Sequence, residues 1–236
     1  MGRRDSKFPK LAVRERLQML KRVSWLSDSQ RNTFAAEGLF VKYQGHEPIF
    51  LEGSSTDRVF FLLAGIAKIY YSHRKQHILV THLVPGDTFG TGSLLPNSKH
   101  QYASEALSDC MVAAIEPDIF APAVFGSSFD QLGPALANTM DRGFELVSRY
   151  TQFLPLNSRG KLALSLLEMA RKFGIRDARG VLLMLPVSHT ELGTMVGSSR
   201  QHVTMQLRAF ERGGLIVREG RRLIIIPELL KTVLDE

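Results

Sequence analysis

The sequence predicts an α+β protein in three parts: a sandwich or barrel of short strands, one long helix, and a C-terminal winged helix-turn-helix. Three observations carry this. Short β-branched and aromatic runs punctuated by glycine fill residues 39–115. Apolar residues then fall at 4-3-4-3 spacing from Met140 to Leu154. Two serine-led helix starts, at Ser188 and Ser199, precede a hairpin pattern.

The first forty residues read as helical, because Leu11, Leu17, Leu20, Val23 and Leu26 recur at helical intervals with Arg and Lys between them. The strands expected next are Leu39–Tyr43, Ile49–Leu51, Val59–Ala64, Ile66–Ser72, Ile78–Leu83 and Met111–Ile115. Gly45, Gly53, Gly65, Gly86 and Gly90 mark the corners. Strands this short, with turns this frequent, suit a closed or two-sheet architecture.

After Pro117 the period lengthens. Met140, Phe144, Val147, Thr151 and Leu154 form a heptad-like seam on one helix ending near Pro155, and this seam is the expected dimer interface. Asn157 or Ser158 caps the next helix, whose apolar face holds Leu162, Leu166, Leu167 and Phe173. The chain therefore divides into residues 1–129 (helical arm and strands), 130–157 (dimerisation helix and hinge) and 158–236 (winged helix-turn-helix).

Ser188-His189-Thr190-Glu191 is a capping box, opening a helix that stops at Gly197. Ser198-Ser199-Arg200-Gln201 is read as a second box, opening a helix with Val203, Leu207 and Phe210 on its inner side. Gly193 leaves room where the two helices cross. Leu215–Arg218, the turn Glu219-Gly220 and Arg222–Ile226 follow as a wing with arginines at its tip. On this reading Arg200, Gln201 and Met205 face base edges, while Ser199, His202, Arg221 and Arg222 meet phosphates.

Charge supports the partition. Residues 1–22 carry net +6, residues 23–157 net −4 and residues 158–236 net +5, giving +7 in all. A net-negative middle between basic ends fits a sensor or assembly domain followed by a polyanion-binding domain. The lone Cys110 rules out an internal disulfide and any multi-cysteine metal or cluster site within one chain. The N-terminus is basic without the apolar stretch of a signal peptide, and no apolar run approaches bilayer length, so a cytoplasmic protein with no membrane partner is expected.

These motifs resemble the bacterial Crp/Fnr regulators from about Leu20 to about Ile226. Gly45-His46-Glu47-Pro48-Ile49-Phe50-Leu51-Glu52-Gly53, Val59–Gly65 and Pro85-Gly86-Asp87-Thr88-Phe89-Gly90 resemble that family's β-roll. Val196-Gly197-Ser198-Ser199-Arg200-Gln201 resembles the start of its recognition helix. The resemblance implies an N-terminal β-roll (a jelly roll like cyclic-nucleotide-binding domains), a dimer helix and a winged helix on double-stranded DNA, with RNA polymerase as a further partner. Cyclic-AMP-binding members place a glutamate after the phenylalanine–glycine turn and an Arg-Ser pair about ten residues later. Here Thr91 and Gln101-Tyr102 stand at those positions, so cyclic AMP in the usual pose is not expected. A retained effector pocket would be lined by Gly90, Thr91, Ser93, Gln101 and Tyr102.

No catalytic residue and no metal ligand is assigned. The sequence requires no cofactor, and a haem or small-molecule effector, which leaves no compact motif, stays open. His73, His77 and His82 lie in or beside strands at no tight ligand spacing, and alternation puts His77 and His82 on opposite faces. Two other classes remain: a cupin-like metal enzyme using these histidines, and a scaffold whose winged helix binds protein.

Overall fold

The computed structural model describes residues 10–73, 76–126, 129–183, 188–220 and 222–235. Arg221 and the side chain of His73 lie outside the described set, as does much of the basic N-terminal segment. The chain forms two compact units, Met1–Glu145 and Leu146–Glu236.

In the first unit, α1 (Lys10–Met19) and α2 (Asp28–Glu37) precede eight strands. These are β1 (Leu39–Tyr43), β2 (Pro48–Phe50), β3 (Val59–Ala64), β4 (Ala67–His73), β5 (Gln76–Leu83), β6 (Thr88–Phe89), β7 (Ala103–Ala106) and β8 (Cys110–Ile115). Then come α3 (Pro117–Phe125) and α4 (Phe129–Phe153), which from Leu146 onward belongs to the second unit. The strands make two antiparallel sheets, ordered β1-β8-β3-β6 and β2-β7-β4-β5.

The unbroken apolar run of β3 has a physical cause: both faces are covered. Val59, Phe61 and Leu63 enter a cluster with Leu17 of α1, Phe34 of α2 and Phe120 of α3. The alternate residues Phe60 and Leu62 enter the interior between the sheets with Phe50, Ile69, Phe89 and Val112. α2 begins with a full capping box, in which Ser27 Oγ accepts from the Gln30 amide and the Gln30 side chain accepts from the Ser27 amide. Arg22 ties the N-terminal segment to the roll through a 2.9 Å ion pair with buried Asp87.

One expectation is corrected. The register of β4 against β5 shifts between Ile69 and Tyr70, and the shift changes the parity of alternation. His82 pairs with Lys68, whose Nζ lies 5.4 Å from the centre of the Tyr70 ring, and His77 stacks on that ring at 4.2 Å. His77 and His82 therefore share a face. Among the described residues no group of three or more His, Cys, Asp or Glu is placed to hold a metal ion.

In the second unit, α5 (Ser158–Phe173) is capped by Asn157, whose side chain accepts from the Gly160 amide. It is followed by β9 (Gly174–Asp177), β10 (Gly180–Leu183), α6 (His189–Val196), α7 (Arg200–Arg212), β11 (Ile216–Glu219), β12 (Arg222–Ile225) and α8 (Pro227–Lys231). The four strands form one antiparallel sheet, β11-β12-β10-β9, so the expected wing is joined by a hairpin that sequence reading missed. Arg179 bridges Asp177 of that hairpin to Glu219 of the wing. No helix among the described residues is long and apolar enough to cross a membrane.

Candidate nucleic-acid interface and effector pocket

The helix-turn-helix follows from a few local rules. Ser188 Oγ accepts from the Glu191 amide while the Glu191 carboxylate accepts from the Ser188 amide, completing the expected box. α6 stops at Gly197, which takes the left-handed conformation (φ 65°). Gly193 permits the tight return, since a Cβ there would sit 2.6 Å from the Ser198 carbonyl oxygen. Ser199 caps α7 by accepting from the His202 amide. The second capping box is half present: histidine stands at the third helical position, where the reciprocal bond needs glutamate or glutamine.

α7 separates its inner and outer faces. Val203, Leu207 and Phe210 are buried with Leu192 and Val196 of α6 and Leu166 of α5. Arg200, Gln201 and Met205 point outward, and Met205 is 53% exposed. Ser199 and Arg222 are exposed as well. His202 is half-buried, its Nε2 lying 3.0 Å from Ser158 Oγ and 3.3 Å from the Gln206 amide nitrogen. That nitrogen only donates, so Nε2 accepts and the free Nδ1 carries the proton.

Sequence reading missed a cluster beside this face. His189 of α6 places Nδ1 2.7 Å from Thr204 Oγ1 of α7 and Nε2 3.5 Å from Arg218 Nη2 of β11. Burial lowers the His189 pKa, and Arg218, Arg200 and Arg208 lower it further. The available signal was spacing: Arg200, Thr204 and Arg208 follow one another at four-residue steps.

Of the expected effector residues, Tyr102 and Gly90 are brought together, and none of the five carries a charge. Gly90 is left-handed (φ 73°), and a Cβ there would lie 2.6 Å from the Phe60 ring. Thr91 and Gln101 are exposed, whereas Ser93 is buried with its hydroxyl unpartnered among the described residues. Tyr102 is partly buried, its phenol hydrogen-bonded to the Gly90 backbone and its ring 5.8 Å from Phe50. His100, which sequence reading passed over, stacks on Phe50 at 3.7 Å and is 5% exposed. Its backbone is pinned by His100 N–H to Ser54 O (2.9 Å) and Gly53 N–H to His100 O (2.7 Å). The interior is thus packed with the protein's own rings.

Burial lowers the His100 pKa below 6.5, and nearby Asp57 opposes the shift. A histidine with a depressed folded pKa contributes its full stability above the unfolded value, and loses it as pH falls from there toward the folded value. The unfolding temperature of this unit, followed by the fluorescence of the single Trp25, is expected to drop as pH is lowered below about 6.5. His100→Phe keeps the stack without the titration and should flatten that drop; an unchanged pH profile in the variant would contradict the assignment.

The seam residues of α4, and Leu154 in the turn just after it, are uncovered in the single chain. Met140 (60%), Phe144 (66%), Val147 (60%) and Leu154 (69%) are exposed, with Tyr150 (73%) beside them. Thr151 is exposed too, but its hydroxyl donates to the Ser148 carbonyl at 2.8 Å and is satisfied within the helix.

Two family models match the chain: "Cyclic nucleotide-binding domain" over residues 40–125 and "Crp-like helix-turn-helix domain" over residues 160–231. The transcriptional regulator LdrP of Thermus thermophilus is 26% identical over 188 residues, covering 78% of this chain and 91% of its own. A "CRP-like cAMP-activated global transcriptional regulator" of Mycobacterium tuberculosis is 23% identical over 185 residues, covering 77% and 81%. In fold, the chain is similar to the crystal structure of a CRP-family transcriptional regulator of Thermus thermophilus. That match has TM-score 0.70 and 23% identity, covering 83% of this chain and 96% of the other.

Proposed function

The chain belongs to the Crp/Fnr family of transcription regulators and carries their helix-turn-helix DNA-binding domain; from that premise we propose that it works as a homodimer on a pseudo-palindromic duplex. The carrying observation is α7, which buries Val203, Leu207 and Phe210 and offers Arg200, Gln201 and Met205 outward. Two such helices spaced about 34 Å apart meet successive major grooves on one side of the DNA. The exposed α4 seam supplies the contact between copies.

Arg200 grips guanine O6 and N7, Gln201 pairs with adenine N6 and N7, and Met205 touches a thymine methyl. Ser199, Arg221, Arg222 and the Nδ1–H of His202 serve phosphates. The chain regulates without catalysing a reaction, in the cytoplasm, and RNA polymerase is its further partner. Cyclic AMP is not its ligand in the usual pose: Thr91, Gln101 and Tyr102 bring no cation to a cyclic phosphate, and His100 and Tyr102 crowd the interior.

Selection of bound duplexes from a random pool tests the reading. A half-site with one guanine next to an A·T preference is expected. Arg200→Ala should cost about 1–3 kcal/mol on that site and relax choice at the guanine. Recovery of no preferred sequence, or an unchanged preference in the variant, would overturn the placement of α7.

A further inference from the structure

The cluster around His189 contains more information than its charge. Thr204 Oγ1 donates its proton to the Arg200 carbonyl at 2.8 Å, so the oxygen turned toward His189 Nδ1, 2.7 Å away, can only accept. Nδ1 must therefore carry the ring's proton. Nε2 then accepts a long hydrogen bond from Arg218 Nη2 at 3.5 Å. Three elements meet here, and the charged groups that act on the ring from the others are Arg200 and Arg208 of α7 and Arg218 of β11. The carboxylate on its own helix, Glu191, is bonded to the Ser188 amide and hydroxyl.

Such a site attracts a phosphate oxygen through the field of three guanidinium groups, yet its neutral imidazole has no N–H left to offer it. The mismatch is removed by one proton. We propose that His189, with Arg208 and Arg218, forms a DNA-phosphate seat beside the base-reading Arg200, in which Nε2 takes up one proton from solvent as the backbone arrives, so that DNA affinity is coupled to pH. Bound phosphate screens the three arginine charges, and the new Nε2–H donates to a phosphate oxygen. The free ring is neutral near pH 7 because burial and the arginines lower its pKa, whereas the bound ring is charged. Affinity then rises as pH falls through the interval between the two, by up to about tenfold per pH unit for each bound half-site. This inference rests on the DNA-binding reading above.

The test is titration of a selected duplex into the full-length protein from about pH 8 to about pH 6, with calorimetry in two buffers of different ionisation enthalpy to count protons. Wild type should bind more tightly at the acid end and take up protons on binding. His189→Gln should bind at a nearly pH-independent level close to that of wild type at the alkaline end. His189→Arg, carrying a permanent charge, should be equally flat but hold the acid-end affinity throughout. His100→Phe removes a histidine of the other unit and should keep the wild-type slope. Measurable binding with no proton uptake, or a slope that survives in both His189 variants, would overturn the phosphate seat while leaving DNA binding intact. Absence of wild-type binding at every pH would instead overturn the DNA-binding reading.

Discussion

Replacing Phe144 and Val147 together by aspartate is expected to turn the protein into a monomer and to weaken binding to a palindromic duplex by roughly 100-fold or more. Both side chains are more than half exposed in the single chain, so the change costs little within one copy. In a dimer paired along this stripe, four carboxylates would be buried without partners, at a cost on the order of several kcal/mol. Losing the second recognition helix removes the gain in effective concentration that tethering provides. Sedimentation equilibrium and duplex titration read the two effects separately. A variant that still sediments as a dimer would show that α4 is not the seam.

Phe210→Ala should be the most damaging single change in the DNA-binding unit. The ring is fully buried at the centre of the core formed by α5, α6, α7 and the sheet, with the Arg159 guanidinium 5.2 Å from its centre. Truncation is expected to cost about 3–5 kcal/mol, from lost burial and the cavity left behind. That is a large share of the stability of a domain this size. Calorimetry should show the transition of the second unit at lower temperature, while fluorescence of Trp25, which lies in the first unit, reports an unchanged melt. Duplex binding near the growth temperature would disappear with the second unit. A shift of less than about 1 kcal/mol would mean that the site collapses around the missing ring.

How much of this was legible in the sequence depended on whether the cause was local. Ser188 with Glu191 and Gly197 are local signals, and the structure forms the expected capping box and left-handed stop at them; the two strands of the wing were legible as well, while Arg221 at its tip lies outside the described residues. β3 was legible because burial on both faces writes a continuous apolar run. β7, Ala103–Ala106, was missed because Ala-Ser-Glu-Ala carries no strand preference; it is a strand because β2 and β4 each pair with it. The hairpin of β9 and β10 was missed for a similar reason, its Asp177 and Arg179 reading as part of a solvated charged stretch. The histidine faces were misjudged because a register shift in β5 leaves no mark on residue alternation. Arg200 and its neighbours could be found from the capped helix start. His189 could not, since a residue at the start of a capping box looks incidental until Thr204 and Arg218 fold onto it.

The division of α7 into a held side and an offered side bears on how such a regulator changes over generations. Val203, Leu207 and Phe210 hold the helix in place, and none of them touches what Arg200, Gln201 and Met205 present. Exchanges at the offered positions fall among the surface substitutions that shift stability by no more than about 0.5 kcal/mol. On the proposed base-reading role of these three residues, a lineage can rewrite its genomic address one residue at a time without passing through an unfolded ancestor. Thr204 is the exception, since it is hydrogen-bonded to His189 and altering it would disturb the join between α6 and α7.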